Sequence, residues 1–156
     1  MRKLSVILLL ACLVGATACH SNKTEHKQII NRSFYNNVWE RFDYVTNTVN
    51  IEEETTYNLT MDIRFTDDYA YDYFSMVFTV FDTYGNPYRS KAYQFKLKDA
   101  DGNWVAEKKD DGHTYNLPIN QALQITEPGA YKFMIENRMP ITPLVGVKQL
   151  TLVNNN

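Results

Sequence analysis

From about Val38 onward, apolar and polar residues alternate with a period of two. Leu59, Met61, Ile63 and Phe65 fall on one side, and Thr60, Asp62 and Arg64 on the other, the pattern of a half-buried strand. Phe74, Met76, Phe78 and Val80 form a second stripe. Tyr73, Val77 and Phe81 lie opposite it, which predicts a strand that is central or covered on both faces. Tyr93, Phe95 and Leu97 alternate with Gln94, Lys96 and Lys98, as do Tyr131, Phe133 and Ile135 with Lys132, Met134 and Glu136. Leu150 and Leu152 mark the last strand, Phe42 and Tyr44 the first, with weaker strands around Trp104, Tyr115–Pro118 and Leu123–Ile125. Tyr84-Gly85-Asn86-Pro87, Asp101-Gly102, Asp111-Gly112 and Glu127-Pro128-Gly129 are turn signals between these runs. No segment sustains a helical period. The pattern predicts an all-β fold, an antiparallel β-sandwich of about eight or nine short strands.

The first residues read differently. Met1-Arg2-Lys3 is basic, Leu4 to Gly15 is an apolar run, and Ala16-Thr17-Ala18-Cys19 follows. These are the three parts of a secretory signal, and the run is shorter than the roughly 20 apolar residues of a membrane helix. A Cys directly after small residues resembles the lipobox of bacterial lipoproteins, where the thiol is diacylated and the chain is cut just before it. Ala16 stands where that box usually has Leu. Leu9-Leu10-Ala11-Cys12 fits the box better on paper, but cleavage there leaves too short an apolar run and puts Leu13-Val14 at the new terminus. Cys19 is therefore read as the lipid attachment site, through which acyl chains hold the protein to a membrane. The other reading of these residues is an ordinary cleaved signal with a free Cys nearby. After cleavage Cys19 is the one remaining Cys, so no intramolecular disulfide forms. His20 to Asn37 is polar and without sustained period, with Ile29 and Ile30 placed to dock on the body. The expected organisation is a signal peptide at 1–18, a polar tether at 19–37 and a sandwich at 38–156.

The chain has 156 residues, 44% hydrophobic and 22% charged, a composition for one globular domain. Its net charge of −2 gives no pull toward nucleic acid. Tyr, Phe and Trp make up 13% of the residues, which favours strands. Catalytic constellations are missing. Of the three His residues, His20 and His26 lie in the tether, so any His-based site would rest on His113 alone. There is no G-x-S-x-G, P-loop or H-E-x-x-H. Asp99-Ala100-Asp101-Gly102-Asn103 looks at first like a calcium loop, but its Gly comes too early for the EF-hand pattern and a hairpin turn accounts for the same residues. Asp67, Asp68 and Asp72 offer carboxylates for Ca²⁺ in the same way, and a solvated loop between two strands is the favoured account. The expectation is a non-enzymatic protein with no cofactor and no metal.

Two features are candidate binding surfaces. Tyr69, Tyr71 and Tyr73 share one face if the segment is extended, and an exposed ladder could stack on sugar rings or on a partner. Cross-strand packing is the competing account. Met139-Pro140-Ile141-Thr142-Pro143-Leu144 is an apolar loop stiffened by two Pro, which either meets a partner or folds over an open end of the sandwich.

Gly129-Ala130-Tyr131-Lys132-Phe133-Met134-Ile135-Glu136, then Arg138-Met139 and Leu144-Val145-Gly146-Val147, resembles the gliding-motility-associated lipoprotein GldH family. The resemblance extends to Tyr57–Arg64, Tyr71–Phe78 and Leu97–Trp104. Arg138-Met139-Pro140 reverses that family's usual M-R order. The resemblance implies a Bacteroidetes lipoprotein of the cell envelope, an accessory of the motility machinery in gliding members, acting through contacts with other envelope proteins. It brings no catalytic residues, and only Cys19 carries over, as the lipid site. No acidic cluster follows Cys19, whereas in Bacteroidetes lipoproteins such a cluster is associated with surface export. An outer-membrane lipoprotein facing the periplasm is therefore expected. The alternative is a lipoprotein carbohydrate-binding module, with the Tyr ladder as its glycan platform.

Overall fold

The computed structural model describes residues 27–156; the expected signal peptide and Cys19 lie outside the described residues. Eight strands of seven or more residues carry the fold: β1 (Lys27–Ser33), β3 (Val45–Ile51), β4 (Thr55–Phe65), β5 (Tyr73–Phe81), β6 (Pro87–Lys96), β8 (Gly112–Ile125), β9 (Gly129–Asn137) and β11 (Val147–Asn154). Three two-residue strands complete it: β2 (Val38–Trp39), β7 (Lys108–Lys109) and β10 (Leu144–Val145). A five-stranded sheet runs β1-β11-β4-β8-β7, a four-stranded sheet runs β3-β9-β5-β6, and β10 pairs β2 as a small third ladder. Every pairing is antiparallel. The all-β sandwich expected from the alternation is the observed fold.

The two larger sheets face each other through the residues the period selects. Leu59, Met61, Ile63 and Phe65 of β4 and Phe74, Met76, Phe78 and Val80 of β5 are all buried. Phe65 meets Phe74 at 5.8 Å between ring centroids, and Tyr57 meets Phe133 at 5.6 Å, so the layers interlock through aromatic rings.

Three elements differ from the expectation. The polar stretch at Lys27–Ser33 is not tether but strand β1, paired with β11, so the body includes these residues ahead of residue 38. A β-bulge between Gln28 and Ile30 explains why no period was visible there. It turns the consecutive residues Ile29 and Ile30 both inward, each 4% exposed. Phe42 and Tyr44 are not in the first strand: Phe42 has φ 67°, in a turn that points its ring outward. The two weak strands around Tyr115 and Leu123 are one continuous β8, irregular opposite Leu59 of β4.

The chain enters at one end of the sandwich. Lys27 pairs with Asn154, Asn154 with Leu59, and Leu59 with Asn120, so these four residues make one row across the five-stranded sheet. This is the near end, closed by the turns at Glu52–Glu54, Asp82–Asn86 and Glu127–Pro128. The far end carries the segments joining β2 to β3, β4 to β5, β6 to β7, and β9 to β10.

Candidate functional site

Beneath the far end the core is rich in aromatic rings. Phe65 contacts Tyr69 at 4.5 Å, Trp104 at 6.2 Å and Tyr115 at 6.0 Å between centroids. Trp39, 1% exposed, stacks on Phe34 at 4.7 Å. Its indole N–H donates to the Asp43 carbonyl at 2.7 Å, which ties the turn after β2 to the core. With Trp39 turned in, the left-handed backbone at Phe42 turns that ring out, and it is 74% exposed. Arg41 lies over the Phe42 ring at 5.4 Å, and Asp43 pairs with Arg32 at 2.8 Å.

The facing wall is the segment after β9. Met139 is buried at 8% exposure, held by its N–H to Asn137 Oδ1 at 2.9 Å and by the Ser75 N–H to its sulfur at 3.2 Å. Arg138 pairs with Glu136 at 3.1 Å. Between the walls is a cleft of about 290 Å³, with Trp39, Phe42, Tyr44, Arg138, Met139 and Ile141 among its lining residues. Tyr44 is 44% exposed and Ile141 47%. The rim thus sets exposed apolar side chains among charged ones, of which Asp43, Glu136 and Arg138 are in ion pairs and Arg41 covers Phe42.

Gly146 stitches the loops beneath this rim. Its N–H donates to Asn37 O at 2.8 Å, and its carbonyl accepts the Thr66 N–H at 2.9 Å. It sits at φ +93°, and a Cβ there would lie 2.5 Å from the Tyr69 nitrogen, so only glycine allows this approach.

The predicted surface residues separate. Of the Met139–Leu144 loop, Met139 and Leu144 are buried and only Ile141 is exposed. Met139 and Leu144 therefore plug the sandwich end, while Ile141 faces out from it. The Tyr ladder is not an exposed platform: Tyr69 is fully buried and Tyr71 and Tyr73 are half-buried. Tyr69 and Tyr71 lie in the bent segment before β5, outside any strand, so the spacing does not align the rings. The Tyr69 hydroxyl donates to Tyr73 O at 2.7 Å, and burial pushes its ionisation far up. Phe42 and Tyr44 were missed as surface residues, because an aromatic pair ahead of a β-branched run reads as strand.

His113 is buried, with Nδ1 3.1 Å from Ala106 O and Nε2 3.0 Å from Asp67 Oδ1, and its ring stacks on Trp104 at 4.2 Å and 8°. It fastens the segment between β6 and β7 to the sheet. Asp67 also pairs with Lys108, and the Lys108 ammonium, then His113, hold its carboxyl below the usual range. Asp99 Oδ1 accepts the N–H groups of Asp101 and Asn103, both at 2.9 Å, and Oδ2 accepts from the Asn103 amide at 3.3 Å. The Asn103 N–H is the main cause of its lowered pKa. The Asp82–Asn86 turn repeats this arrangement: Asp82 Oδ1 accepts from Tyr84 and Asn86 at 2.9 and 2.8 Å. Partial burial opposes the lowering at Asp82, and the Asn86 and Tyr84 N–H groups outweigh it. Both stretches read D-x-x-G-N, a shared hairpin cap visible in the sequence and overlooked there.

The family model described as GldH lipoprotein matches residues 29–152. No curated protein matches the chain. Among solved structures, the chain is similar to one titled "Crystal structure of dimeric latent PorU from Porphyromonas gingivalis", with a TM-score of 0.34 and 10% identity. That alignment covers 84% of this chain and 12% of that one.

Proposed function

The chain belongs to the GldH lipoprotein family, and from that premise we propose that it is a non-enzymatic, membrane-anchored protein of the cell envelope that holds a partner protein at the far end of its sandwich. Cys19 carries the acyl chains. Each buried CH₂ contributes about 0.8 kcal/mol, so more than one chain makes the attachment stable. The outer membrane, with the sandwich facing the periplasm, is the proposed location, and in a gliding organism the partner belongs to the motility machinery. The observation that carries the reading is the exposure of Phe42, Tyr44 and Ile141 around one cleft at the end opposite Lys27. Exposed apolar side chains gathered on one rim are the mark of a surface that another molecule covers. The burial of Tyr69 removes the platform on which the glycan alternative rested.

Partner capture from native membranes tests this. Phe42→Asp and Ile141→Asp should each keep the melting temperature and lose the captured partner. Unchanged capture in both variants would refute the far-end site. Cys19→Ser should abolish labelling by a fatty-acid analogue and release the protein from the membrane fraction.

A further inference from the structure

The sandwich has a second opening, on the side where β6 is the edge of one sheet and β8, beyond its short pairing with β7, is the edge of the other. The seam is partly closed by tyrosines of β6: the Tyr88 hydroxyl donates to Gln124 O at 2.9 Å, and Tyr93 donates to Ile119 O. Between these two closures the seam widens into a groove of about 360 Å³ lined by Arg89, Lys91, Tyr93 and Pro118–Gln121.

The direction of the two cations is set by the register. Arg89 pairs with Val80 and Lys91 with Phe78, both buried, and directly paired residues share a face. Arg89 and Lys91 therefore lie on the inner face of their sheet, with Tyr93, at the edge where the facing sheet ends. Inward cations blunt an edge strand against pairing, but here they also meet a lining that contains no acid. Among the described residues neither Arg89 nor Lys91 belongs to an ion pair. Lys91 Nζ lies over the Tyr93 ring at 4.8 Å. Burial pushes the Tyr93 hydroxyl up, and the charge of Arg89, which lines the same groove, draws it down. The opposite wall has lost one backbone donor at Pro118 and offers the Asn120 and Gln121 amides instead.

We propose that this groove binds a phosphate group. Two unpaired cations, one of them a planar fork, with side-chain amides and an aromatic wall, match a phosphate oxyanion and its substituent. Position suggests where the phosphate comes from. Asn120 lies in the same row as Lys27, three strand spacings or roughly 14 Å away. Cys19 is eight residues before Lys27, a reach of at most about 28 Å. Lipid headgroup phosphates thus come within range of the groove, a step that rests on Cys19 being the anchor; the phosphate site itself does not.

The test titrates the whole lipoprotein in a non-ionic detergent with two probes, inorganic phosphate and short-chain phosphatidylglycerol, read by calorimetry. Saturable binding of at least one probe is expected, weakened by roughly tenfold or more in Arg89→Gln and Lys91→Gln. Tighter binding of the lipid assigns the phosphate to headgroups, and tighter binding of the free ion assigns it to solute. Lys96→Gln, on the outer face of the same strand, should bind as the parent does. Equal weakening by Lys96→Gln, or no saturable binding of either probe, overturns the proposal. Both groove residues are exposed, so melting curves should show the variants folded. Loss of phosphate binding leaves the far-end reading intact, and loss of partner capture leaves the groove intact.

Discussion

The near and far ends of this sandwich close the same strands with different chemistry. At the near end the turns are short and acidic: Glu52, Glu53, Glu54 and Glu127 are exposed, and the Asp82 turn is capped by its own carboxylate. Tyr84 and, less fully, Tyr88 are the exposed rings there, and Tyr88 is engaged through its hydroxyl with Gln124 O. At the far end the connections are longer and expose Phe42, Tyr44, Ile141 and Val145. Exposed side chains add little to the core, so stability does not demand the apolar residues of the rim. The difference is one of exposed apolar side chains, which gather at the end away from Lys27, and the proposed contact site rests on that contrast.

The comparison breaks first at Leu144. Leu144→Asp buries an unpaired charge under the rim and should cost several kcal/mol, about 3 or more, read as a collapse of the melting transition. Gly146→Ala forces a Cβ against the Tyr69 backbone at positive φ and should cost about 1–3 kcal/mol. Alkaline titration examines the core beneath the far end. Burial raises the ionisation of Tyr69, so its contribution is full below the ordinary tyrosine pKa and is lost as pH rises above it. Stability should therefore fall above pH of about 10, by up to about 1.4 kcal/mol per pH unit for that one group, and Tyr69→Phe should flatten the fall. Asp82→Ala and Asp99→Ala should each lower the melting temperature slightly and to a similar degree, because the two caps are built alike at opposite ends. Their carboxyls, like that of Asp67, sit below the usual range, so this stabilisation is present above pH of about 4 and fades as pH falls further. The smallest effect belongs to Ile141→Asp, within about 0.5 kcal/mol, against the large effect at Leu144 three residues away.

How legible each region was follows from how local its physics is. Strands β4 and β5 could be read directly, because the buried residues of each alternate without a break. Strand β1 could not, since its bulge puts Ile29 and Ile30 side by side in the core, and that depends on a partner strand more than a hundred residues away. The loop after β9 was visible as an apolar excursion, but the division between buried Met139 and Leu144 and exposed Ile141 is decided by what lies beneath it. The Tyr spacing suggested a ladder that the bend before β5 dissolves. Phe42 belongs to the rim only because its backbone is left-handed, a choice made by Trp39 and Asp43 rather than by the ring itself. The phosphate groove needed register: Arg89 and Lys91 are ordinary strand cations until their pairing with Val80 and Phe78 turns them inward.

The antiparallel pairing of β1 with β11 bears on how the molecule carries load. A protein held at its N-terminus and gripped at the far end is pulled along its strands. Strand β1 points from the anchor toward the grip, and its partners from Lys27↔Asn154 to Ser33↔Gln149 lie side by side across that direction. Tension on the tether therefore shears the whole ladder at once instead of unzipping it one pair at a time. Under the proposed anchoring, the edge strand β1, which the sequence reads as tether, is the element through which such a load would enter the sheet.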